Sequence, residues 1–158
     1  MNKQRAELPG SAPKLRPGGK WLGPADPNEE LTASILLRRP ASAADIGEAI
    51  LSGTYRPESR EAAEAALSAD PNDVAAVETF VRDSGMEILS VDAPSRTIRI
   101  RGTVEKLDRV FGIEIGWEQD ARGDRYLSYR APITLPESLV PAVTAVLGLD
   151  QRPVARRR

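Results

Sequence analysis

Histidine and cysteine are absent from all 158 residues. The first absence removes Ser-His-Asp machinery and the side chain that titrates near neutral pH, and the second removes thiol nucleophiles and disulfides. Together they take away the commonest metal ligands, so no metal and no cofactor is expected. Any response to pH has to come from carboxylates. Apolar runs are short: none approaches the roughly eighteen residues of a membrane span. The N-terminus MNKQRAELPG lacks the apolar stretch of a signal peptide. No GxSxG, GxxxxGK[ST] or GxGxxG occurs, so Gly18-Gly19-Lys20 reads as part of a leader and not as a phosphate loop.

Charge of one sign is also missing overall, with 22 basic and 23 acidic residues. That balance gives no general grip on nucleic acid or on an anionic membrane. It is uneven along the chain: residues 40–92 carry eleven carboxylates against three arginines, a net of −8, whereas the last eight residues carry four arginines and no acid. Carboxylate pairs such as Glu61 with Glu64, and Asp70 with Asp73, sit where helix N-termini are expected, and capping explains them better than acid–base catalysis. No catalytic residue is expected in this chain.

What is present is a clear order of elements. Residues 1–30 hold five prolines and four glycines and are expected to form a flexible leader, in which Trp21 and Leu22 are either a lone exposed apolar pair or a docking point. From Leu31 to Leu37 apolar and polar residues alternate, which predicts a first strand ended by Pro40. Ile46, Ile50 and Leu51 predict a short helix before Gly53. Ser59 caps a second, alanine-rich helix expected to pack loosely. Asp70, Pro71 and Asp73 open a third helix that Gly85 closes, with Val74, Val77, Phe80 and Val81 on one face. Met86–Val91 and Thr97–Arg101 predict a hairpin around Pro94. Thr103 caps a helix with Val104, Leu107, Val110 and Phe111 inward, Gly112 stops it, and Ile113, Ile115 and Trp117 alternate as a fourth strand. A further strand over Tyr126–Arg130 is expected after a turn at Ala121–Asp124, then a last helix over roughly 136–147.

Strand, helix, strand is thus written twice. The expected fold is α+β, a ferredoxin-like split βαβ arrangement: an antiparallel sheet with helices on one face and an extra C-terminal strand and helix. The other face would show Thr32, Ser34, Arg38, Thr97, Arg99, Arg101, Glu114 and Glu118. Such a face receives a partner, with Arg99, Arg101, Glu114 and Glu118 as docking residues, or it is solvated, with ion pairs worth at most about 1 kcal/mol each.

Three segments, ADPNDVAAVETFVRDSG, GTVEKLDRVFGIEIG and LPESLVPAVTAVLGLDQRP, occur in this order within residues 31–155. With LTASILLRRP before them, they resemble the pro-kumamolisin activation domain, the N-terminal prodomain of sedolisin- or kumamolisin-type serine-carboxyl peptidases. The resemblance implies a secreted precursor in which residues 31–150 form the prodomain. That prodomain would assist folding of a subtilisin-like catalytic domain in cis, inhibit it, and leave under acid conditions. Residues 151–158, with Gln151, Arg152, Arg156, Arg157 and Arg158, would begin the linker that is cleaved. The isolated chain is expected to be a monomer. The alternatives are a freestanding ferredoxin-like regulatory or ligand-binding module and a stand-alone peptidase inhibitor.

Overall fold

The computed structural model describes residues 4–40 and 43–153. Its helices form where local signals put them. Helix α1 spans Ala43–Leu51 and α2 spans Arg60–Leu67, the latter capped by Ser59, whose hydroxyl accepts from the Ala62 N–H at 3.0 Å. Neither buries a residue. Alanines favour the α2 helix but give it little to pack with. Helix α3, Pro71–Asp83, starts at Asp70, whose carboxylate accepts from the Asn72 N–H at 2.8 Å, and buries Val77 and Val81. Helix α4, Val104–Phe111, is capped by Thr103 and ended by Gly112 in the left-handed conformation, φ 67°. A side chain is strained at that angle, and here a Cβ would also lie 2.7 Å from the Thr134 hydroxyl.

Nine strands are described: β1 Arg5–Glu7, β2 Lys20–Pro24, β3 Glu30–Leu37, β4 Glu87–Asp92, β5 Thr97–Thr103, β6 Glu114–Gln119, β7 Arg125–Arg130, β8 Thr134–Pro136 and β9 Val143–Leu147. The largest sheet has the order β4-β5-β3-β9 with every neighbour antiparallel. Counting only its own strands this is 2-3-1-4, the order that two interleaved βαβ units produce. Leu31, Ala33, Ile35 and Leu37 of β3 and Ile98 and Ile100 of β5 are buried on one face, against α3 and α4, and the alternate residues lie outward. The α+β class and the helix-backed antiparallel sheet follow the pattern in the sequence.

Three expectations are corrected. The strand at Ile113–Trp117 does not complete this sheet; as β6 it lies between β2 and β7 in a second, three-stranded sheet. The fourth place is taken by β9, inside the expected last helix. Pro141 confines helical turns to a single 3-10 turn at Val140–Ala142, and the β-branched Val143, Thr144 and Val146 then favour extension beside β3. The leader is ordered across its described residues: β1 pairs with β8, β2 pairs with β6, and Leu8 and Ala25 belong to the buried core. Helix α4 joins the parts, packing against β5, β6 and β8, with Leu107 and Phe111 fully buried.

Candidate functional site

The outward face of the large sheet is built by register. Arg101 stands between Thr32 on β3 and Glu87 on β4; Arg99 stands between Ser34 and Ser90; Thr97 stands between Leu36 and Asp92. On the far side Ser34 meets Leu147 and Leu36 meets Ala145 of β9. The face therefore runs from carboxylates on β4, through two arginines on β5, to an apolar edge at Leu36, Ala145 and the half-exposed Leu147.

The two arginines differ. Arg101 donates to Glu87 at 2.6 Å and reaches Glu30 at 3.8 Å, and the hydrogen bond and charge of Glu87, with the charge of Glu30, push its already high pKa up further. Arg99 is exposed and has no ion-pair partner among the described residues. A cation of this kind in the middle of a sheet can meet an incoming anion without first breaking an ion pair. Arg38, expected on this face, instead turns to the helix side and grips Asp73 at the start of α3 with two hydrogen bonds, 2.9 and 3.1 Å. It ties the end of β3 to a helix, just past the register shift between Leu36 and Leu37.

Glu114 and Glu118 do not share this face. Both lie on β6, in the second sheet, on the side over which the Trp21 ring is laid. Glu114 is exposed at the strand's start. Glu118 is 4% exposed and accepts a hydrogen bond from the Tyr126 hydroxyl at 3.1 Å, so it has no surface to offer and is withdrawn as a docking residue. Burial, then the bond to Glu118, pushes the Tyr126 hydroxyl above its ordinary value. Of the linker residues, Gln151 and Arg152 are held against β7 and the leader, whereas Arg156, Arg157 and Arg158 lie outside the described residues.

Sequence reading missed Asp108, on the last turn of α4, because its neighbours in sequence give no sign of what folds over it. Its carboxylate accepts from the Ile115 N–H at 2.8 Å, and burial, the largest cause, pushes its pKa up despite that bond. A raised carboxyl pKa means the fold prefers the neutral form: this stabilisation is full below the free value of about 3.9 and is lost as pH rises through the folded value. Asp108→Asn, neutral at all pH, should therefore raise the melting temperature at pH near 7, and the gain should shrink towards acid. A gain that grows on acidification would reverse the sign and remove burial as the cause.

Among the described residues there is no cluster of three or more acidic side chains placed to hold a metal ion, and no helix long and apolar enough to cross a membrane. The family model described as the Pro-kumamolisin activation domain matches residues 17–152. The match begins before β2, within the segment whose sequence pattern alone reads as leader. The chain is also 27% identical over 159 residues to the protein named kumamolisin from Bacillus sp. (strain MN-32), an alignment covering 98% of this chain and 29% of that protein. It thus spans under a third of that relative's length.

Proposed function

Since the chain belongs to the pro-kumamolisin activation domain family, we propose that it is the N-terminal activation propeptide of a kumamolisin-type serine-carboxyl peptidase exported as a precursor. In this reading it templates the folding of the catalytic domain, inhibits it, and is released in acid. The observation that carries the docking surface is the outward face of the large sheet, polar at its centre and apolar at the β9 edge, with Arg99 unpaired among the described residues. A sheet with its own core can fold first and present a surface on which a slower-folding partner condenses. Arg99 would meet a carboxylate of that partner, and Arg101 would share its guanidinium with the approaching surface.

Acid release requires one sign. The complex must hold its carboxylates below their free pKa values, through ion pairs such as one on Arg99, so that protonation favours separation. Affinity is then full above about 3.9 for Asp and 4.3 for Glu, and falls as pH drops through the lowered values. Asp108 has the opposite sign, so release does not arise from that group. The tail from Gln151 onwards, including Arg152, Arg156, Arg157 and Arg158, would begin the activation linker.

The test is inhibition of a peptidase of this type by the isolated chain. Inhibition is expected near neutral pH and is expected to weaken steeply in acid. Arg99→Glu should raise the inhibition constant at least about tenfold, because losing a charge pair buried at an interface costs about 2–5 kcal/mol. The variant's melting temperature should stay unchanged, since Arg99 is exposed. A folded chain that does not inhibit, or one whose inhibition ignores Arg99→Glu, would overturn the reading.

A further inference from the structure

The two ends of the described chain grip each other. The tail lies along the free edge of β7, where the Gln151 N–H donates to the Leu127 carbonyl at 2.8 Å. The Arg152 guanidinium, 14% exposed, clamps Asp150 through contacts of 2.6–2.9 Å and donates to the Lys14 carbonyl in the leader. From the other side Arg16 donates to the Pro153 carbonyl at 2.8 Å. The leader is anchored just upstream. The Tyr129 hydroxyl donates to the Ser11 carbonyl at 2.6 Å, and the Ser11 hydroxyl donates to Leu8 at 2.6 Å and accepts from the Ile133 N–H at 2.9 Å.

Each arginine thus reaches across to a backbone carbonyl of the other segment. Such crossed bonds hold a chain in place, whereas a pair between two exposed side chains is easily lost to water. The charge of Glu118 and the Tyr126 hydroxyl also act on Arg152. The arginine is therefore surrounded by acceptors and anions from β6, β7, the leader and the tail itself.

We infer that residues 11–16 form a strap that fixes residues 150–153 to the domain and sets Pro153 as the point from which the chain can enter a peptidase cleft. A peptidase engages an extended backbone whose polar groups are free, and here the Gln151 amide and the Pro153 and Lys14 carbonyls are engaged. Loss or displacement of the leader would free residues 150–153, back towards Leu149, which is buried. The meaning of the strap for activation rests on the propeptide reading; the strap itself does not, and its test needs no cognate enzyme.

The test is amide hydrogen exchange on the isolated chain, with the Ile100 amide as the measure of global opening. Arg16→Ala should speed exchange at Gln151 by about tenfold, the loss expected for one charge-assisted bond, with Ile100 unchanged. Arg152→Ala should act reciprocally, loosening the Ser11 amide, which donates to Leu8 at 3.2 Å. Arg122→Ala, in the exposed turn between β6 and β7, should change neither. With a broad-specificity peptidase, Arg16→Ala should also bring new cuts at residues 150–153. Unchanged Gln151 exchange in Arg16→Ala overturns the strap, and that variant alone decides if Arg152→Ala lowers protection at Ile100 as well. A strap that passes beside a failed inhibition assay would leave the inference standing and the propeptide reading refuted.

Discussion

Truncating Phe111 to alanine is expected to lower the unfolding free energy by about 3–5 kcal/mol, the cost of deleting a buried ring together with the cavity left behind. Phe111 is fully buried on the last turn of α4, the helix that packs against β5, β6 and β8 at once. The Thr134 hydroxyl donates to its carbonyl at 3.2 Å, so the backbone there is fixed and cannot collapse freely into the hole. A domain of this size has about 5–15 kcal/mol in total, so the variant would sit near the threshold of folding. Leu51→Ala is the matched control: this side chain is 91% exposed, and its removal should stay within about 0.5 kcal/mol. Urea unfolding of both variants makes the comparison. A loss under about 1 kcal/mol for Phe111→Ala would mean that α4 is not the joint between the sheets to which β5, β6 and β8 belong.

The elements legible in the sequence were those whose signals are local. Asp70 with Pro71, Ser59, and Thr103 with Gly112 bracket helices α3, α2 and α4 because caps act within four residues. Alternation marks the strands at Leu31–Leu37 and Thr97–Arg101 and sorts the faces of Leu31–Leu37 and of Ile98 and Ile100. Alternation says nothing of which strand lies beside which. Ile113 and Ile115 do point inward, but the register that seats β6 between β2 and β7 depends on residues nearly a hundred positions away.

The same limit explains the site. Arg99 and Arg101 were placed on the outward face because both faces of β5 are defined by its own sequence. Glu118 was placed there too, since a carboxylate alternating with Ile115 and Trp117 belongs on a polar side. It does, but the leader and the tail cover that side, and neither shows this in its own composition. The leader's five prolines and four glycines are compatible with disorder and with a strap whose hydrogen bonds come from its partners. The segment Val143–Leu147 failed for another reason: its apolar spacing suits a short helix as well as a strand, and β-branching with Pro141 tips it to the strand.

Gly116 carries the largest consequence for the leader. A Cβ at this position would lie 2.4 Å from the Gly23 carbonyl oxygen and 2.5 Å from two carbons of the Trp21 ring, so strand β2 can pair with β6 only over a residue without a side chain. The Trp21 ring also carries Arg130, whose guanidinium carbon lies over it at 4.0 Å from the ring centroid. Gly116→Ala should therefore detach β2 while leaving the large sheet folded, at a cost of about 1–3 kcal/mol as for other overpacked sites. In a Trp117→Phe background, which leaves Trp21 as the only tryptophan, emission should shift to the red. Amides of residues 20–23 should lose protection, and that of Ile100 should keep it. If the strap is as inferred, Gln151 should exchange faster too, because the leader segment that holds the tail is continuous with β2. Unaltered Trp21 emission in Gly116→Ala would mean that the ring does not rest on β6, and the leader would then have to be placed elsewhere on the domain.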